Sequence, residues 1–136
     1  MKKEKVVWVN GCFDILHRGH IELFKYAKSL GDKLFVGIDS DSKIKKDKGF
    51  DRPFNNLKDR VILLDSIKYI DQVKTFNSKE ILENLIKNLT PDIIVVGSDW
   101  KGKEIVGGSY TKKIVYFDRI KNYSTTNILE WKNCRK

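Results

Sequence analysis

A chain of 136 residues, 40% hydrophobic and 33% charged, suits one globular domain spanning residues 1–136, with one core. No apolar run reaches membrane-spanning length, Met1-Lys2-Lys3-Glu4-Lys5 leads straight into a β-like run rather than a leader, and Cys12 and Cys134 form no disulfide framework. A reduced, cytoplasmic protein with no membrane partner is therefore expected, and its net charge of +9 is mostly lysine scattered over surface-like positions, with one local cluster at Lys43, Lys45, Lys46 and Lys48.

In chain order, the apolar run predicts a first strand over Val6–Asn10. Ile21, Phe24, Ala27 and Leu30 fall on one face of a helix from about Gly19 to Leu30, and Gly31 ends it. A second strand covers Leu34–Asp39, and a polar loop is expected from there to Asn56, with Pro53 keeping Arg52 out of a helix. A helix over Leu57–Lys68 and a strand over Gln72–Phe76 follow. Ser78, with Ile81, Leu82, Leu85 and Ile86 behind it, marks an N-capped helix. Strands at Ile93–Val96 and Lys113–Phe117 complete the set, and Ser124-Thr125-Thr126 opens a last helix carrying Ile128, Leu129 and Trp131.

Strands alternating with helices imply a three-layer α/β/α domain around a five-stranded parallel sheet. In such sheets ligands bind beyond the carboxyl ends of the strands. The polar and glycine-rich segments do follow strand ends: Asn10–His20, Asp39 with the lysine cluster, Gly97–Gly102, and Arg119 with Ser124–Thr126. These four segments should converge on one edge. At Asn10–His20, two histidines flank Gly19 at a helix start. Free N–H groups and the positive dipole end attract phosphate there, and His17 and His20 add side-chain donors.

The run Gly11-Cys12-Phe13-Asp14-Ile15-Leu16-His17-Arg18-Gly19-His20 is similar to the GxFDxLHxGH signature of cytidylyltransferase-like nucleotidyltransferases. Tyr123-Ser124-Thr125-Thr126-Asn127-Ile128 resembles the carboxyl-terminal S-T/S-T-x-I element of the same family, and the likeness spans nearly the whole chain. Within the family, Lys48–Asn55, with Arg60 and Glu104–Gly107, looks like the domain that adenylylates heptose 1-phosphate. Gly97–Lys103 and Arg119 look more like the glycerol-3-phosphate cytidylyltransferases. Cys12 stands where these families often carry Thr or Val, and Lys121-Asn122-Tyr123 where Pro-Gly or Asp-Gly is common.

The resemblance implies a Rossmann-like fold and a reaction. An oxygen of a sugar or polyol phosphate attacks the α-phosphate of a nucleoside triphosphate, and pyrophosphate leaves. His17 and His20 would hold phosphate oxygens in the transition state, and Lys45 or Lys48 would neutralise charge from the loop. Asn10, Gly11, Cys12, Phe13, Gly19, Gly97, Asp99, Trp100, Arg119, Ser124, Thr125 and Thr126 would form the nucleotide site. Asp14, Asp39, Arg52 and Arg60 are candidates for the acceptor. Mg²⁺ would bridge phosphate oxygens with few protein ligands, and a homodimer is the default by analogy.

Other readings stand beside these. His17 and His20 with Cys12 and Asp14 could ligate zinc, but the spacing matches no common zinc pattern. Ser124–Thr126 could be an ordinary helix cap, each lysine of the cluster a solvated one, and Asp14 a turn cap. Arg119 could be an ordinary surface arginine and Arg60 an ion-pair partner on a helix. Gly97–Lys103 fits GxxxxGK, yet Glu104 stands where a P-loop needs Ser or Thr. A non-catalytic module for nucleic acid would show aromatic and basic residues interleaved on a sheet face, whereas these strands read as buried. No nucleic-acid partner is expected.

Overall fold

A computed structural model of the chain describes residues 3–119. Five strands, β1 (Val6–Gly11), β2 (Lys33–Asp39), β3 (Gln72–Phe76), β4 (Ile93–Gly97) and β5 (Lys113–Phe117), form one sheet in the order β3-β2-β1-β4-β5. Every pairing is parallel, with Trp8 opposite Phe35 on one side and Ile94 on the other. The layering is Rossmann-like. The chain reverses its direction of winding between β1 and β4, which opens a crevice at their carboxyl ends.

The period of two along β1 divides the core. Val7 and Val9 face a cluster with Val36, Ile38, Val95, Phe24, Ala27 and Leu64, which brings in helices α1 (Arg18–Ser29) and α3 (Leu57–Asp65). Trp8 faces the opposite cluster with Phe76, Ile94, Leu82 and Ile86, covered by α4 (Lys79–Leu89). The Trp8 indole reaches over Gly37 of β2, two residues beyond its register partner Phe35, and a Cβ on Gly37 would come within 2.4 Å of it. The glycine makes room for the tryptophan.

The helix starts follow side-chain caps. Asn56 accepts from the Asp59 N–H at 2.9 Å, and Ser78 from the Ile81 N–H at 3.2 Å, as its sequence position predicts. The third cap corrects the expected loop between Asp39 and Asn56. Ser40 accepts from the Lys43 N–H and starts a helix, α2 (Asp41–Lys48), that Gly49 ends at φ 115°. Asp41 lies in its first turn and lysines crowd its last, so its charges complement the helix dipole. Lys43 bonds Asp39 and Asp47 one turn to either side, and Ile44 is the single buried residue. One apolar residue in eight leaves no period to read.

The helix expected to run to Lys68 ends at Asp65, with Ser66 as its C-cap. The predicted final helix, with Ser124, Thr125 and Thr126, lies outside the described residues.

Candidate active site

Three of the four expected segments, and Arg119 of the fourth, meet at the carboxyl edge of the sheet and line one cavity of about 550 Å³. From β1 and the following turn come Asn10, Gly11, Cys12, Phe13 and Asp14; from the start of α1 come His17, Gly19 and His20. Asp39 comes from β2, Lys48 from α2, Arg52 from the strap after it, Gly97 and Trp100 from the end of β4, and Arg119 from beyond β5. Lys45, Asp99 and Arg60 do not line it. Lys43, Asp47 and Lys79 do; of these the sequence marks only Lys43, as a member of the lysine cluster, and assigns it no role of its own. The signal for Lys43 and Asp47 was present as the four-residue spacing from Asp39 to Lys43 to Asp47, which only a helix turns into contacts.

The turn after β1 is tight. Phe13 has φ 47°, and its ring folds back so that a Cβ on Gly11 would lie 3.1 Å from it. His17 is the N-cap of α1, with extended backbone, and its carbonyl accepts from the N–H of His20 at 3.0 Å. The His17 N–H donates in turn to Nδ1 of His20 at 3.3 Å. A backbone N–H can only donate, so Nδ1 of neutral His20 carries a lone pair and its proton sits on Nε2. The two imidazoles stack with centroids 3.8 Å apart and planes 21° from parallel. Burial, then the charges of His17 and Arg119, lower the pKa of His20 to about 3. Burial and Arg119 also lower that of His17. Both rings are therefore neutral hydrogen-bonding groups at neutral pH.

Five cations, Lys43, Lys48, Arg52, Lys79 and Arg119, face three carboxylates, Asp14, Asp39 and Asp47, across the cavity. The carboxylates are committed. Asp14 is 1% exposed and accepts from the N–H groups of Phe54 and Asn55, both at 2.8 Å, and from Arg52 Nε at 3.3 Å. Asp14 thus holds the strap and Arg52 against the site. Asp39 is engaged by the Cys12 thiol and the Lys43 ammonium. Burial and the Asp39 charge push the Cys12 thiol pKa up. Lys43 is held above its ordinary pKa: burial opposes its charge, but the bonds to Asp47 and Asp39 outweigh it. The surplus of positive charge suits a polyphosphate.

Arg60, expected at the acceptor, is instead wholly buried beneath the site. Its guanidinium donates to the carbonyls of Cys12 at 3.0 Å, Asp39 at 2.8 Å and Asn55 at 3.0 Å, and to the Asp41 carboxylate at 2.7 Å. One side chain thereby ties the ends of β1 and β2, the start of α2 and the strap. Asp99 pairs with Arg119 at 3.4 Å beside Gly97. The GxxxxGK run makes a 3-10 turn at Ser98–Trp100 and no helix after it, unlike a P-loop. Trp100 is about half exposed at the cavity mouth.

Neutral imidazoles at a helix start face cations across the switch point of a parallel sheet, an arrangement whose charge and hydrogen-bond donors suit a phosphate group. In comparison with known proteins, the sequence model described as cytidylyltransferase-like matches residues 8–130, and the chain belongs to that family of nucleotidyltransferases. It is 45% identical over 130 residues to the bifunctional protein HldE of Helicobacter hepaticus, and 46% over 127 residues to that of Nitratiruptor sp.. These matches cover 96% and 93% of this chain but only 27% of each relative, so the chain spans about a quarter of their length. The crystal structure of the lipopolysaccharide core biosynthesis protein from Thermoplasma volcanium is similar at a TM-score of 0.75 and 30% identity. It covers 88% of this chain and 100% of that one. Pantoate-beta-alanine ligase from Francisella tularensis, at 18% identity and a TM-score of 0.57 over 100% of this chain and 73% of that one, shares the fold.

Proposed function

We propose that the chain transfers the adenylyl group of ATP to a heptose 1-phosphate and releases pyrophosphate. The observation that carries this reading is the stacked His17–His20 pair at the start of α1, inside a cavity lined by five cations. An acceptor phosphate oxygen attacks the α-phosphorus as the bond to the β-phosphate oxygen breaks, so the protein's work is alignment and charge stabilisation. Nε2–H of His20 and the free N–H groups at the start of α1 donate to oxygens of the reacting phosphate. Lys48, with Lys45 as the alternative from the same helix, neutralises the triphosphate, and Arg52, oriented by Asp14, meets the acceptor phosphate. Trp100, Gly97 and Arg119 flank the nucleoside, Asp99 acts through Arg119, and Ser124, Thr125 and Thr126 serve the leaving phosphates.

The acceptor is inferred from the likeness of Lys48–Asn55 to the heptose branch and from the HldE relatives. Mg²⁺ would screen the triphosphate's charge. Among the described residues no three His, Cys, Asp or Glu gather as a ligand set, and Asp14 and Asp39 are already paired. That donor set fits a cation carried mainly by phosphate oxygens. The reading places the enzyme in the cytoplasm as a homodimer, with no nucleic-acid or membrane partner. The test offers ATP or CTP with Mg²⁺ and either heptose 1-phosphate or glycerol 3-phosphate, and measures pyrophosphate. Release with ATP and the heptose is expected. Release only with CTP and glycerol 3-phosphate, which Gly97–Lys103 and Arg119 would favour, overturns the substrate pair. Release with no pair overturns the transferase reading in favour of a binding module.

A further inference from the structure

We propose that Phe13 is a positioning residue for His20: its ring, wedged over Gly11, fixes the imidazole so that Nε2 serves as the donor to a phosphate oxygen. The inference rests on the phosphate-transfer reading and adds to it a residue that acts through another. Phe13 holds φ 47°, a left-handed value that disfavours bulky side chains and that Gly or Asn would adopt with less strain. Strain retained at a site invites the question of what the side chain does there.

The ring is 7% exposed and meets three things. Its edge fills the space a Cβ on Gly11 would need. Phe24 of α1, wholly buried, packs against it with centroids 5.0 Å apart and planes at 65°. His20 packs on it perpendicularly, at 5.3 Å and 86°. His20 is thus held by the His17 ring on one side, by the His17 N–H at Nδ1, and by Phe13. Removing any one of these lets the ring turn about its two side-chain torsions. The charged groups that act on His20 are His17, from the cap of its own helix, and Arg119, from beyond β5; both disfavour an imidazolium. Phe13 adds to them by occupying volume that water would otherwise fill.

The chain has two histidines, so imidazole resonances report on this pair without ambiguity. Phe13→Gly suits the backbone and deletes the ring; Phe13→Leu keeps bulk without the flat face; Phe13→Tyr keeps the ring. In ligand-free protein, Phe13→Gly should move the His20 titration upward by at least ~1 pH unit and mix its Nδ1–H and Nε2–H tautomers. In turnover it should lower kcat about tenfold or more, with KM for the triphosphate changed less than about threefold. Phe13→Leu should shift both in the same sense and Phe13→Tyr should restore them. Should Phe13→Gly not fold, Phe13→Leu decides alone. An unchanged His20 titration and tautomer in a folded variant overturns the proposal. The titration needs no substrate, so it decides even if the wild type transfers nothing, in which case only the reaction fails.

Discussion

At the residue scale, both histidines rest as neutral imidazoles at neutral pH, and a hydrogen bond fixes the tautomer of His20. His17→Ala and His20→Ala should each lower kcat by at least ~10²-fold, the usual cost of losing a donor to a transition-state oxyanion. Circular dichroism should show the fold retained. Their depressed pKa values also tie stability to pH. In the unfolded chain an imidazole binds a proton near pH 6.5, whereas His20 resists protonation down to about pH 3. Between those values the unfolded state holds more protons, so stability is fully present above pH 6.5 and is lost as pH falls. Urea midpoints should decline from pH 7 to pH 4, and His20→Gln should flatten that decline. The lowered pKa values of Asp47, Asp71 and Asp92 add a loss of the same sign that sets in below about pH 5, so the histidine contribution is read between pH 7 and about pH 5.

The lysines separate by placement. Lys48 lines the cavity and Lys45 does not. A charge-assisted bond to phosphate contributes roughly 1.5–3 kcal/mol, so Lys48→Ala should raise KM for the triphosphate about tenfold or more. Lys45→Ala should change it less than about twofold by the same reasoning, in steady-state assays of both variants.

At the scale of elements, α2 shows what a sequence can hide. Its start is marked by Ser40 and Asp41 and its end by Gly49, yet its interior reads as a polar loop because Ile44 alone is buried. The other expected elements among the described residues carried either an apolar run, as in β1, or a clear stripe, as in α4, and their bounds fall within about three residues of expectation. The role of Arg60 was legible only in part. A basic residue on a helix after the strap suggests a substrate contact, but nothing local says that the carbonyls of Cys12 and Asp39, from two distant segments, will join that of Asn55 around it. That information lives in the strand order. Arg60→Met should leave those carbonyls and Asp41 without their donor and cost about 3 kcal/mol, a drop of roughly 10 °C in Tm by calorimetry.

At the scale of the whole molecule, the convergence on one edge was legible because parallel βα units always turn their following loops the same way. The order β3-β2-β1-β4-β5 then centres the site on β1, between Asp39 on one neighbour and Gly97 on the other. Within the sheet, Trp8 fits closely against Gly37. A methyl group there has nowhere to go, since Trp8 is fully enclosed and its indole N–H is held by Asn10. Gly37→Ala should destabilise by about 1–3 kcal/mol, read as a lower urea midpoint with an unchanged m value.

The frame that Arg60 builds speaks a language of main-chain oxygens. At Cys12, Asp39 and Asn55 it grips carbonyls, which every amino acid supplies, so its hold does not depend on the side chains of those residues. Cys12 and Asp39 face the cavity from the very residues whose backbones are pinned beneath it. Their side chains can therefore be exchanged without removing a partner of Arg60. A chain built this way can take a local replacement at the cavity edge while Arg60 keeps the same carbonyl partners beneath it.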